Sequence, residues 1–375
     1  MRFDEAELAE IRARVPIDAL IGRCVKLKKR GRELVGLCPF HNEKTPSFTV
    51  VPAKRFYHCF GCGAHGDVIG FVSRFDRVEF VEAVERLRSW AGTDRPRDPE
   101  QIRRERERLE RERVAAERRD AEERVRRMRT ASGVWQLAGP MAGSLAERYA
   151  ATRAIDPAVF GGWPASLRAI ACLAHPETGE LCPVMVGGVQ GPDNRLTAVH
   201  RTFLTPDGLG KIVGATAKMM LGPAWRGAMR LGRAGERLGG GEGIETSLSV
   251  LQGLRLAGDD LPIWALLSLG NFAGTGLPER RPVKHPDRVD RLGRPLLLPS
   301  PIPDLGRPGF MPPPGVREFT WFADGDGDPY VSERLLARGK ARYDHAGCRL
   351  RVARPPAGQD FNDVLQADLR RGAAA

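Results

Sequence analysis

Cysteine and histidine stand in two short pairs near the N-terminus: Cys38 and His41 in "CPFH", then Cys59 and Cys62 in "CFGC". Thiolate and imidazole donors two residues apart chelate a tetrahedral cation. The 17 residues between the pairs are the length of a hairpin that brings them together. Four protein donors close the coordination shell, so the expected ion is a structural Zn²⁺ held as Cys₃His, with no open position for substrate. A redox CxxC is excluded because no βαβ pattern surrounds it, and haem attachment because Gly63, not His, follows Cys62. His58 and His65 are near enough to stand in as ligands, but His41 completes the regular spacing. Cys24, Cys172, Cys182 and Cys348 read as ordinary thiols.

Carboxylates make the second group, in "GGGEGIETSLS" (239–249) and "WFADGDGDPY" (321–330). Asp324 and Asp326 lie two apart at the end of a strand-like run, so their side chains project to one side. Gly325 and Gly327 leave room for a phosphate or a hydrated metal, which suits Mg²⁺ or Mn²⁺. A calcium loop is excluded: its sixth position would be Pro329 rather than Gly, and its twelfth Leu335 rather than Glu. Glu242 falls between a strand and a helix at the matching sheet end, where α/β sheets bind ligands. Glu245, one turn on, reads as a supporting carboxylate at a helix N-terminus.

The elements that must position these groups divide the chain of 375 residues into four. Residues 1–93 hold the Cys/His cluster between helical patterns, and "PSFTVV" and "KRFYHC" read as the two strands of its hairpin. Residues 94–130 are nearly all charge without a sustained apolar stripe, which predicts a solvated helical spacer. Residues 131–236 carry short apolar runs broken by glycine and basic residues, as hairpins do, and read as an α+β subdomain. From 237 to 375 strand-like and helix-like runs alternate, which predicts an α/β fold with a mostly parallel sheet. A Pro- and Gly-rich stretch at about 276–315 reads as a surface insertion.

A net charge of +12 favours a polyanionic partner, nucleic acid first, although a genome biased toward Arg codons would supply part of the excess. Around the zinc motif, Lys28, Lys29, Arg30 and Lys54 are placed to track phosphates and Tyr57 to stack on an unpaired base. Phe48 and Phe56 read instead as the ribbon's own small core. No apolar run approaches the ~20 residues of a membrane span. The charged N-terminus is unlike a secretory signal, and an odd cysteine count argues against a disulfide framework. These features together predict a reducing cytoplasm.

The stretch "VKLKKRGRELVGLCPFHNEKTPSFTVVPAKRFYHCFGCGAHGDVIGFV" resembles the CHC2-type zinc-binding domain of DnaG-type bacterial and phage primases, over essentially all of residues 1–93. "EGIET", "LSLGN" and "GQDFNDVL" resemble the Toprim domain in its phage and plasmid primase variant. That likeness implies Glu242 as acid/base or metal ligand and Asp324 and Asp326 as ligands of a divalent metal, with Asp328 a further ligand. One departure is plain: an apolar strand usually precedes the glutamate, and here it is "RLGGG", expected to be short or irregular. "HRTFL" and "KMMLGP" resemble the basic half of a primase core and imply Arg201, Lys211, Lys218 and Arg230 as contacts to template or nucleotide phosphates.

The resemblance therefore implies synthesis of short RNA primers on single-stranded DNA from ribonucleoside triphosphates. No GxxxxGK[ST] loop occurs, so a helicase partner is expected to act in trans. A Toprim nuclease and a non-catalytic zinc-ribbon protein are the alternatives. None of Tyr57, Tyr149, Tyr330 and Tyr343 lies in an evident catalytic setting, against the first, and the complete acidic set argues against the second.

Overall fold

The computed structural model describes residues 3, 5–43, 45–91, 99–214, 216–290, 293–325, 327–356 and 358–374. The chain divides into two units: Met1–Glu123 with Glu279–Pro299, and Arg124–Pro278 with Ser300–Ala375. Among the described residues no helix is long and apolar enough to cross a membrane.

In the first unit the expected hairpin is present as Phe48–Val51 and Phe56–Cys59, paired antiparallel with Phe48 opposite Cys59. It is the middle of a five-stranded sheet in which each strand pairs with the next in sequence, from Lys28–Arg30 to His65–Gly66. The inward face buries Phe48, Val50 and Tyr57 against Ile11, Ile17, Ile21 and Phe71 of the surrounding helices. The helix Val68–Asp76 starts on an Asp67 cap, whose carboxylate accepts from the Gly70 amide at 2.8 Å.

The charged segment forms part of a 39-residue helix, Pro99–Leu137. With little apolar surface to bury, it is laced instead by pairs one turn apart, such as Arg113–Glu117 at 2.6 Å and Arg118–Glu122 at 2.9 Å. It is not a bare spacer. Asp120 pairs with Lys54 at 2.7 Å and Glu112 with Arg55 at 3.1 Å, so two turns of this helix grip the hairpin's turn within the first unit.

The second unit holds two sheets. Leu167–Ala174, Leu181–Gln190, Leu196–Phe203 and Lys218–Leu221 form an antiparallel meander. The other sheet runs Met229–Arg230, Ile263–Ala265, Arg237–Gly241, Glu318–Phe322, Arg349–Ala353; its last four strands are parallel and the first is an antiparallel edge. The glycine-rich strand is not irregular: five residues long, it lies at the centre of the sheet, paired on both sides. Its lack of side chains has a packing reason. A Cβ on Gly239 would stand 2.4 Å from Ile263 Cδ1, one on Gly240 2.5 Å from Phe319 Cζ, and one on Gly241 2.6 Å from Ser247 Oγ. Neighbouring strands and a helix supply the volume that the central strand omits.

The insertion after Ala273 begins and ends at one point of this unit. Buried Arg338 donates to Gly274 O at 2.8 Å and to Ser300 O at 2.7 Å, stapling both ends of the excursion to the helix Pro329–His345.

Candidate metal centre and acidic site

The donor atoms of Cys38, His41, Cys59 and Cys62 all lie within 4.8 Å of one another. Cys38 Sγ stands 3.8 Å from Cys62 Sγ, and Cys59 Sγ 3.6 Å from His41 Nδ1. A tetrahedral zinc with Zn–S bonds of about 2.3 Å requires sulfurs about 3.8 Å apart. The donor set therefore fits zinc in kind, number and spacing. His58 and His65 are outside this group. A second layer fixes the imidazole: His41 Nε2 lies 3.2 Å from Glu43 Oε2, leaving Nδ1 for the metal. Glu43 Oε1 accepts in turn from the amides of Cys38 at 2.7 Å and Ser47 at 3.0 Å, so one carboxylate organises the first knuckle. Gly61 is needed beside it, since a Cβ there would meet His41 Nε2 at 2.6 Å.

In the second unit, Glu242 follows the central strand and Asp324 the adjacent parallel one, with Gly241 in register with Phe322. Parallel pairing thus puts the two carboxylates at the same sheet end, where the helix Ile244–Leu256 begins. Thr246 of that helix donates to Asp324 Oδ1 at 3.0 Å and orients it. Asp326 lies outside the described residues. Asp328 is occupied as a helix cap: its Oδ1 accepts from the amides of Tyr330 at 3.1 Å and Val331 at 3.3 Å. Asp-Pro at a helix start was a legible capping signal.

Glu245 proves to be the centre of a cluster rather than an accessory at a helix end. Its Oε2 lies 2.7 Å from Lys218 Nζ, its Oε1 3.5 Å from Lys211 Nζ, and Tyr149 donates to Oε1 at 2.6 Å. Burial alone would raise this carboxyl, but the two ammonium groups and the hydroxyl overcome it and hold it down at about 2. The sequence placed Lys211 and Lys218 as separate candidates; one partly buried carboxylate draws them together. His200 is pushed down to about 4, first by burial and then by the Lys218 charge, and so is neutral at pH 7.

Two of the basic candidates make contacts within the fold. Arg201 is buried, 8% exposed, on the face of its strand that carries Val199 and Phe203, and its guanidinium lies over the Phe203 ring at 5.7 Å. Arg230 lies over the Trp264 ring at 4.4 Å and donates to Gly191 O at 3.0 Å and to Asn194 Oδ1. It pins a turn, and burial pushes its pKa below the usual range.

A family model described as CHC2 zinc finger matches residues 3–102, and one described as a domain of unknown function (DUF7146) matches residues 125–231. Residues 3–102 are thus similar to a CHC2 zinc finger of the DnaG type. Among curated proteins, DNA primase of Pasteurella multocida is 53% identical over 89 residues, 24% of this chain and 15% of that protein. DNA primase of Escherichia coli K12 is 49% identical over 107 residues, 28% of this chain and 18% of that one. The chain thus matches less than a fifth of the length of these relatives. Among solved structures, the zinc-binding and RNA polymerase domains of Aquifex aeolicus primase cover 97% of this chain and 84% of that one, at 18% identity and a TM-score of 0.32. The primase fragment of the bacteriophage T7 primase-helicase protein covers 90% and 98%, at 9% identity and a TM-score of 0.31.

The CHC2 finger presents a different aromatic face from the one expected. Tyr57 is fully buried, stacked on Phe48 at 5.2 Å and edge-on to Phe71 at 5.4 Å, and cannot reach a base. Strand alternation decides this: Cys59 must face inward to its metal, so Tyr57 does too, and Phe56 and His58 face outward. Outward rings follow one another as Phe60–His58 at 4.6 Å, His58–His65 at 6.1 Å and His65–Phe56 at 6.0 Å, with Phe60 69% exposed. Lys28, Lys29 and Arg30 are all exposed on the edge strand, whereas Lys54 is engaged with Asp120.

Proposed function

We propose that this chain is a DNA primase that makes short RNA primers on single-stranded DNA during replication. The observation that carries this reading is the pairing of a CHC2 zinc finger with a parallel sheet that ends two carboxylates, Glu242 and Asp324, side by side at a helix start. The sheet and its "EGIET" turn support a Toprim assignment for residues 237–375, and the meander of 131–236 a template- and nucleotide-binding role. The zinc is structural, as four protein donors leave it no open position.

Glu242, Asp324 and Asp326 are the proposed holders of Mg²⁺ or Mn²⁺, with Asp328 committed first to its helix. When bound, such ions stabilise charge on the attacking and leaving oxygens of nucleotidyl transfer. The residues of this chain orient the reactants around that step. Thr246 fixes Asp324, and the Lys211–Glu245–Lys218 cluster offers ammonium groups, 36% and 43% exposed, to the phosphates of a ribonucleoside triphosphate. Exposed Phe60, with the partly buried rings behind it, and Lys28, Lys29 and Arg30 are placed to hold unpaired template. A replicative helicase acting in trans and a cytoplasmic setting belong to the same reading.

The test is direct: incubate the protein with single-stranded DNA, labelled ribonucleotides and Mg²⁺, and resolve the products. Short RNA chains are expected, and Glu242→Gln and Asp324→Asn should each lower synthesis by ~10²-fold or more, the scale of a lost positioned electrostatic group. Near-normal synthesis in both variants would remove this site from the mechanism. Nicked or shortened DNA with no RNA product would point to a nuclease.

A further inference from the structure

Residues 279–299 interrupt the sequence of the second unit, yet they fold with the first. Within them Lys284–Val289 pairs antiparallel with Pro295–Leu297, closed by a turn in which Asp290 accepts from the Arg294 amide at 2.9 Å and from its Nε at 2.9 Å. A lone two-stranded hairpin is marginal in water. This one nonetheless buries Leu296, Leu298 and His285 to 5%, 7% and 5% exposure.

The partner is the CHC2 finger. Arg294 Nη1 donates to Phe75 O at 2.5 Å and its guanidinium covers the Phe75 ring at 4.7 Å. Phe75 lies in the last turn of the helix Val68–Asp76, where carbonyls lack helical partners and a cation is favoured. Arg77, whose left-handed backbone at φ 58° ends that helix, donates to Pro295 O. Asn42, the residue after the ligand His41, donates from Nδ2 to Val289 O at 3.0 Å. All three contacts gather at the turn end of the hairpin, where Val289 pairs with Pro295, one set at a helix terminus and one next to a residue of the metal-binding group.

We propose that the hairpin 284–297 is an intramolecular docking element: Phe75, Arg77 and Asn42 of the CHC2 finger form a receptor for this segment of the same chain. The metal-binding unit is then built from two separate stretches of sequence, 1–123 and 279–299. Arg338 pins the two feet of the insertion by hydrogen bonds to Gly274 O and Ser300 O. The contact to Asn42 also links docking to metal occupancy. This inference does not depend on the catalytic reading above.

Hydrogen exchange of the full-length, zinc-loaded protein tests it. In Arg294→Ala, amides of 71–77 and 284–297 should exchange faster by about tenfold or more, the scale of one charge-assisted hydrogen bond, with zinc content unchanged. Arg294→Lys, which keeps the charge but not the fork, should fall between. Removing zinc from the unsubstituted chain with a chelator should also speed exchange of 284–297, without any substitution that might misfold. Unchanged exchange of 284–297 after zinc removal, or of 71–77 in Arg294→Ala, would overturn the proposal.

Discussion

Replacing Glu245 with Gln keeps the side chain's shape and its acceptor for Tyr149 but deletes the charge between Lys211 and Lys218. A carboxyl held at about 2 instead of the usual 4.5 is worth about 3 kcal/mol at neutral pH, at ~1.4 kcal/mol per tenfold in proton affinity. Both lysines are more than a third exposed, so solvent screening reduces this to about 2 kcal/mol. The sign follows from the direction of the shift. The folded carboxyl is the stronger acid, so its contribution is whole above about pH 4.5 and is lost as pH falls toward 2. The stability gap between the parent chain and Glu245→Gln should therefore be about 2 kcal/mol at pH 7 and shrink steadily below pH 4.5. Urea unfolding read by exchange at amides of the helix Ile244–Leu256 isolates the second unit, so loss of zinc in acid does not enter. A gap of equal size at pH 7 and pH 2.5 would refute the reasoning, because the stabilisation would not then come from the ionised carboxylate.

Purified protein should carry about one zinc, and Cys59→Ser should lose it and loosen the first unit, since ligand binding and folding are coupled there; full zinc retention by atomic absorption would show the ligand set to be wrong. Phe60→Ala should weaken binding to single-stranded DNA by roughly tenfold while leaving the melting temperature unchanged, as stacking is worth about 1–3 kcal/mol per base. Tyr57→Ala should do the reverse, destabilising the first unit by about 3–5 kcal/mol through a core cavity; fluorescence anisotropy and thermal melts of the two variants separate the cases.

The sequence was most legible where chemistry is local. Two CxxC/H pairs fix a metal whatever surrounds them, and the alternation after residue 237 announced a parallel sheet that is present with its two carboxylates at one end. What stayed hidden depended on faces and partners. Tyr57 and Arg201 carry the right chemistry for nucleic acid, yet each lies on the strand face that packs inward. That could have been read by counting from Cys59 in one case; in the other the answer lay in a helix packed on the sheet. Glu245 looked like a helix-end carboxylate because Lys211, Lys218 and Tyr149 come to it from 27 to 96 positions away. The hairpin in the insertion was masked by proline and glycine, and its partner is over 200 residues distant.

The glycine-rich central strand constrains how such a sheet can change over time. Phe319, Ile263 and Ser247 occupy the space that side chains at 240, 239 and 241 would need. An alanine at any of these positions meets an occupied site, whereas a smaller residue at 319 would first leave a void. Neither step is open alone, and the two together are. Arrangements of this kind act as a ratchet: a bulky neighbour can settle only over a glycine, and once settled it keeps the glycine in place. Replacing one of these glycines alone therefore passes through a poorer packing, and only a paired change with its neighbour avoids it.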